Sequence, residues 1–154
     1  MSKELDDIDK KILNHLLSEA KIPNYREIGK ALGLAPQTAH NRLKRLTSSG
    51  VIKGFIPLVD LKKLGYIITA ITQVSAEKGQ IATLAAKYMH HKNVVAMYDV
   101  LGPYDMILIT KFHNLEGLDQ FIKEFQAKNP EVRTTNTISV LNVQKEAVVP
   151  GAIE

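Results

Sequence analysis

The sequence predicts an α+β protein of two domains, in which three short helices are joined by a strand linker to a β-α-β-β-α-β unit. Apolar residues recur at helical spacing up to about residue 48, with turn-forming residues between the runs. Gly54 and Pro57 interrupt a β-branched and aromatic stretch, which is typical of an edge strand or an extended linker. Beyond residue 65, β-branched runs alternate with helical ones. The predicted domains are therefore 1–52 and 66–154, with a strand linker or hinge at 53–65.

Each of the three N-terminal helices is marked by signals at its ends. The first, Asp6–Glu19, begins with acidic residues, which the helix dipole favours at an N-terminus. The second covers 25–32, with Asn24 as its predicted cap and Gly33 as its stop. The third opens at Pro36 and ends in a Thr-Ser-Ser-Gly run. The spacing of these signals predicts a compact, winged-helix-like domain.

The C-terminal domain is predicted from six segments. A tight turn at Gly102-Pro103 separates its two middle strands, and Asn114 caps its second helix. The predicted strands are 66–74, 94–101, 104–112 and 132–143, and the predicted helices are 79–91 and 115–128. This is the order of the ferredoxin-like fold, in which right-handed crossovers place both helices on one face of the sheet.

The face of this sheet that the helices leave open is also predicted to be apolar. Alternation puts Ala70 and Ile71 on opposite sides of the first strand, and Leu108 on the side opposite Ile107 and Ile109 in the third, so both faces are apolar near the strand centres. An antiparallel sheet with one face in water alternates more cleanly than this. Because a bare apolar sheet is rarely left exposed, we expect the open faces of two chains to pack together in a symmetric homodimer.

Composition excludes several classes of protein. The chain has 154 residues, 23% of them charged, a formal net charge of +4 and no Cys. Without Cys there are no disulfides, thiolate metal sites or cysteine nucleophiles. The acidic start is unlike a secretory leader, and no run approaches the roughly 18 apolar residues of a membrane span. We expect a soluble cytoplasmic protein with no membrane partner.

No catalytic or metal site is predicted. His90 and His91 are adjacent and point to different faces, unlike the i, i+4 pair of a helical metal site. The sequence also contains no nucleophile elbow and no Gly-rich phosphate loop. We therefore expect neither an enzyme nor a bound cofactor.

The second and third helices form a helix-turn-helix pattern, because a short Gly-containing turn joins them and the third helix is basic. No acid occurs between residues 28 and 59. Opposite its apolar stripe, the third helix carries amides and hydroxyls, which read base edges, and cations, which reach guanine or phosphate. The residues predicted to contact double-stranded DNA are Gln37, Thr38 and Asn41 for base edges, Arg42, Lys44 and Arg45 for phosphates, and the flanking His40.

Two other interpretations stay open at this point. The basic helix is also compatible with a solvated face on a three-helix protein-binding domain. The whole chain is then a small-molecule-sensing or protein-interaction module that does not act through DNA. Binding to random duplex DNA at two salt concentrations distinguishes these classes, because counterion release makes DNA binding steeply salt-dependent.

Five segments resemble the Lrp/AsnC (leucine-responsive, or feast/famine) family of bacterial and archaeal transcription factors. The segments are, in order, LDDIDKKILNHLLSEAK, GLAPQTAHNRLKRL, GVIKGF, LGPYDMIL and PEVRTTNTISVLNVQKE. The resemblance implies a sequence-specific DNA-binding regulator whose C-terminal domain assembles homodimers, or an octamer. It also implies that this domain binds a small effector, usually an amino acid, at subunit interfaces.

By position, the family's effector motifs fall on Gly102, Tyr104 and Asp105, and on Thr135 and Thr137. A free amino acid has an ammonium group that needs a carboxylate, and a carboxylate that needs N–H and hydroxyl donors. The first three residues have a second interpretation, in which the Gly-Pro dipeptide makes a hairpin turn that the aspartate pins through backbone N–H groups.

Overall fold

The computed structural model describes residues 5–19, 22–146 and 153. The chain divides into two compact units, the first built from the described parts of 1–59 and 146–154, and the second from 60–145. Each unit has its own cluster of buried apolar side chains. Across the described ranges, every helix is too short or too polar to cross a bilayer.

The first unit consists of three helices, α1 (Asp7–Glu19), α2 (Tyr25–Leu32) and α3 (Pro36–Ser48). The predicted extents of α2 and α3 are confirmed. The Asn24 side chain caps α2 by accepting a hydrogen bond from the Arg26 N–H at 3.0 Å. The buried core that the helices share contains Ile12, Leu13, Ile28, Ala39, Leu43, Leu46 and Ile52.

The turn between α2 and α3 brings two backbones into close contact. Gly33 ends α2 in the left-handed conformation, with φ 67°, and the Leu34 N–H donates to the Gly29 carbonyl oxygen at 2.8 Å. A Cβ atom on Gly29 would lie 2.6 Å from the Leu34 carbonyl oxygen. This approach therefore requires glycine at position 29.

Ile153, which is distant in sequence, packs on the first unit. Its side chain lies against the apolar core of the three helices. The Asn14 amide holds its main chain, donating to the Ile153 carbonyl oxygen at 3.0 Å and accepting from the Ile153 N–H at 2.7 Å. The pair satisfies the main-chain donor and acceptor of Ile153, which lies outside any helix or strand.

The segment that joins the two units forms no strand. Residues 53–60 belong to neither a helix nor a strand, so the strand predicted for this linker is corrected. A strand requires a hydrogen-bonding neighbour, and within the described residues the sheet contains no strand from this segment. The apolar side chains of Phe55, Ile56, Leu58 and Val59 are consequently exposed.

The second unit is a four-stranded antiparallel sheet covered by two helices. Its elements are β1 (Ile68–Ala76), α4 (Ile81–Tyr88), β2 (Val94–Asp99), β3 (Met106–Phe112), α5 (Leu115–Lys128) and β4 (Val132–Val140). The strand order is β2-β3-β1-β4, and all three strand pairs are antiparallel. The predicted ferredoxin-like order is confirmed.

The connection between β2 and β3 is wider than the predicted tight turn at Gly102-Pro103. Residues 100–105 lie outside both strands, so β3 begins two residues later than predicted. The Val100 N–H donates to the Asp105 carbonyl oxygen at 3.1 Å, and the Asp105 N–H donates to the Val74 carbonyl oxygen at 2.9 Å. Because the Asp105 N–H is bonded to β1, the loop rejoins the sheet at Asp105. The Gly-Pro dipeptide lies inside the loop.

The sheet has one face covered by helices and one open face. On the covered face, α4 and α5 pack against side chains that include Val74, Leu108 and Phe112. On the open face, Ile71 of β1 lies between Ile109 of β3 and Ile138 of β4. Ile138 is 48% exposed. The described residues therefore leave an apolar surface on the open side of the sheet.

Candidate nucleic-acid interface

α3 presents a polar face to solvent along its whole length. Gln37, Asn41 and Lys44 follow one another at spacings of four and three residues, and all three are exposed. Thr38 and Ser48 are exposed beside them. The opposite side of α3 is buried through Ala39, Leu43 and Leu46. No carboxylate occurs within α3, so its outward face can approach an anion without repulsion from its own side chains.

Two of the predicted base-contacting residues, Gln37 and Asn41, are linked to each other and to His40. Gln37 Nε2 donates to Asn41 Oδ1 at 3.0 Å, and each of these atoms lies 3.4 Å from His40 Nδ1. Tyr25 of α2 packs edge-on against the His40 ring, with centroids 4.7 Å apart. These contacts orient the amide groups before a ligand binds, which reduces the entropy lost on binding.

The two arginines of α3 are paired with acids near the start of α1. Arg42 is hydrogen-bonded to Asp6 and lies 3.1 Å from Asp9 Oδ1, while Arg45 is hydrogen-bonded to Asp9 and lies 3.8 Å from Asp6 Oδ2. We call these four residues the α1–α3 ion cluster. Both arginines, which were predicted to contact phosphates, are thus paired with carboxylates near the start of α1. Of the three predicted phosphate contacts, Lys44 is the one that is exposed.

The α1–α3 ion cluster also caps α1 and shifts two pKa values. Asp6 Oδ1 accepts from the Asp9 N–H at 2.9 Å, and Asp9 Oδ2 accepts from the Asp6 N–H at 3.2 Å. The hydrogen bond from Arg42, followed by that from the Asp9 N–H, lowers the pKa of Asp6 from 3.8 to about 2. The hydrogen bonds to Asp6 and Asp9 raise the pKa of Arg42. The formal charges of the two Asp and two Arg cancel.

In the second unit, Asp105 ties the β2–β3 loop to β1 and β4. Its Oδ2 atom accepts from the Ala76 N–H at 2.9 Å and from Ser75 Oγ at 3.2 Å, and lies 3.5 Å from the Arg133 guanidinium. The hydrogen bond from Ala76 is the largest cause that keeps the pKa of Asp105 below its usual value. Tyr104, which precedes it, is half-buried. The Asp105 side chain therefore contacts β1 and β4. These are not β2 and β3, the two strands that its own loop connects.

The other predicted effector residues have separate partners. Gly102 is exposed in the β2–β3 loop at φ 147°, a conformation that favours glycine. Thr135 Oγ1 accepts from Gln126 Nε2 at 2.6 Å, and Thr137 Oγ1 lies 3.1 Å from Thr72 Oγ1. The two threonines are thus bonded to α5 and β1, whereas Asp105 is bonded to the end of β1 and lies beside Arg133 of β4.

Comparison with known proteins identifies both units. Residues 5–53 match the family model for winged helix-turn-helix DNA-binding domains. Residues 69–150, more than half of the chain, match the model for the Lrp/AsnC ligand binding domain. The chain belongs to the Lrp/AsnC family.

Relatives of this Lrp/AsnC chain are named as transcriptional regulators. It is 39% identical to an uncharacterised HTH-type transcriptional regulator of Pyrococcus furiosus, over 93% of this chain and 95% of that protein. It is 40% identical to the regulator FL11 of the same organism, over 92% and 93%. Its fold matches a Neisseria meningitidis transcriptional regulator solved in complex with L-Met, with TM-score 0.87, 23% identity and coverage of 96% and 97%. The chain is a DNA-binding transcriptional regulator with an Lrp/AsnC ligand-binding domain.

Sequence patterns do not identify the acidic half of the α1–α3 ion cluster as part of the interface. They assign Asp6 and Asp9 to the helix dipole of α1. A signal was nevertheless present. The two acids are three residues apart at the start of α1, and the two arginines are three residues apart on α3. Residues at this spacing share one face of a helix. The partners Ser75, Ala76 and Arg133 of Asp105 carry no comparable signal.

Proposed function

We propose that this Lrp/AsnC regulator binds double-stranded DNA by laying α3 of each subunit in the major groove. The exposed, carboxylate-free face of α3 carries the proposal. Gln37, Thr38 and Asn41 contact base edges, because amides and hydroxyls match the donors and acceptors there. His40 holds the two amides in place, and Lys44 contacts a phosphate.

Fluorescence anisotropy tests this interface, using a duplex selected from a random pool and a random duplex. Asn41→Ala is expected to weaken selected-duplex binding about tenfold, since a bidentate base contact contributes about 1–3 kcal/mol, and to change random-duplex binding little. Lys44→Gln should weaken both and reduce the salt slope by about one. The control is Lys123→Gln in α5, which makes the same charge change in the second unit. Equal losses on both duplexes for Asn41→Ala would mean that this residue reads no base.

We also propose that the open sheet face assembles the homodimer that two half-sites require. The support is the apolar row formed by Ile109, Ile71 and Ile138 across three strands. Ile138→Lys is expected to give a monomer in sedimentation analysis at micromolar concentration, because it places a charge inside that contact. Leu115→Lys is the control, since Leu115 is 62% exposed at the start of α5. A wild-type monomer contradicts the proposal, and an octamer shows that further contacts exist.

We propose an amino acid as the effector of the second unit, acting by binding and not by catalysis. The L-Met complex of the Neisseria regulator supports this ligand class, with Gly102, Tyr104, Asp105, Thr135 and Thr137 as the binding residues. Such a ligand shifts DNA binding only if it favours one subunit arrangement over another. Thermal-shift measurements with the twenty amino acids test it. An Asp105→Ala variant should lose the response to the amino acid and keep its DNA affinity. If the variant loses the dimer instead, the role of Asp105 is structural.

A further inference from the structure

The α1–α3 ion cluster places negative charge directly beside the proposed DNA-binding face. Arg45 follows Asn41 by four residues, so the two side chains leave α3 only about 40° apart. Arg45 is therefore next to the row of residues that faces the major groove, but it is bonded to Asp9. The Asp9 side chain is fully buried, whereas that of Asp6 is 47% exposed.

We propose that Asp6 is a specificity-determining residue, which lowers the affinity of this regulator for phosphates of any sequence by retaining Arg42 and Arg45. This inference rests on the DNA interface proposed above. With Asp6 present, the cluster has no formal net charge, and the exposed carboxylate repels a nearby phosphate. Base-reading contacts then carry a larger share of the binding, so selected and random sequences are better distinguished.

Removing the Asp6 charge leaves Asp9 with two guanidinium groups, and hence one net positive charge beside α3. Each added phosphate contact steepens the salt dependence by about 0.9 and changes affinity about threefold between roughly 50 and 200 mM salt. Without Asp6, Arg42 and Arg45 compete for Asp9, and Arg45 is the one that can reach a phosphate because its side chain is 39% exposed against 24% for Arg42.

The variant Asp6→Asn tests the proposal with little change to the helix. Asn is as good an N-cap as Asp, so its side-chain oxygen can still accept from the Asp9 N–H. Asp7→Asn is the matched control, because Asp7 is an exposed acid in the same turn and its replacement changes the net charge equally. Asp6→Ser is a second neutral capping variant, used if circular dichroism shows that Asp6→Asn is misfolded.

Anisotropy with a random and a selected duplex at two salt concentrations gives the decisive numbers. We expect Asp6→Asn to bind the random duplex more tightly than Asp7→Asn, by a margin that shrinks about threefold per subunit between roughly 50 and 200 mM salt, which is a salt slope steeper by about one per subunit. The gain for the selected duplex should be smaller. Adding Arg45→Gln to Asp6→Asn should cancel the gain.

Equal binding by the Asp6 and Asp7 variants refutes the role of Asp6, as does a gain that survives Arg45→Gln. In both cases the wild-type chain still binds DNA, and the interface itself stands. A wild-type chain that binds no duplex at either salt concentration refutes the interface instead.

Discussion

Replacing Asp9 by Ala removes the buried carboxylate that joins α1 to α3. Asp9 accepts hydrogen bonds from Arg42, Arg45 and the Asp6 N–H. After the substitution both guanidinium groups lose this partner, although their side chains are only 24% and 39% exposed. Breaking a fully buried ion pair costs about 3–5 kcal/mol, and the partial exposure of the arginines lowers the expected loss to about 2–3 kcal/mol.

Denaturant unfolding of the full chain, followed by far-UV circular dichroism, measures this loss in the helical first unit. The control Asp7→Ala removes an exposed acid from the same turn of α1. We expect it to cost less than about 1 kcal/mol, the size of a helix-dipole effect. The reasoning is refuted if Asp9→Ala costs no more than the control, or if Arg42→Ala costs the same with and without Asp9, since contacting residues are not additive.

Three further predictions concern the first unit. The pKa of Asp6 falls from 3.8 to about 2 on folding, so its ion pair is fully stabilising above about pH 4 and is lost as the pH falls towards 2. Acid unfolding of the wild type and of Asp6→Asn measures this loss of stability. Gly29→Ala should lower the free energy of unfolding by about 1–3 kcal/mol, because its Cβ would lie 2.6 Å from the Leu34 carbonyl oxygen. The control is Gly54→Ala, whose Cβ meets no atom within 4 Å. It should change the free energy of unfolding by less than about 0.5 kcal/mol in the same denaturant assay. Asn24→Ala removes the cap of α2 and should cost about 1 kcal/mol; an unchanged denaturation midpoint contradicts this.

Much of the fold could be predicted because its signals act between neighbours in sequence. Asn24, Gly33 and Pro36 mark the ends of α2 and α3 through caps and backbone geometry that involve only a few adjacent residues. Period-two alternation predicted the four strands and an apolar open face. The outward position of Gln37 and Asn41 followed from helical spacing alone.

The remaining features depend on contacts that a local pattern does not contain. β3 starts at Met106, next to Asp105, whose N–H bonds to Val74 in another strand. Arg42, which was predicted to contact a phosphate, is hydrogen-bonded to Asp9, 33 residues away. The absence of acids between residues 28 and 59 therefore overstated the free positive charge of α3, because the neutralising carboxylates come from α1.

The exposed segment 53–59 makes this regulator accessible to limited proteolysis. Phe55 is 52% exposed and Leu58 is 88% exposed, and neither lies in a helix or a strand. A protease that cleaves after aromatic or leucyl residues meets these bonds before any in the packed cores. Each resulting fragment retains its own cluster of buried side chains. Ile153 stays on the sheet fragment after such a cut but packs on the first unit, so this contact holds the two fragments together after a brief digestion.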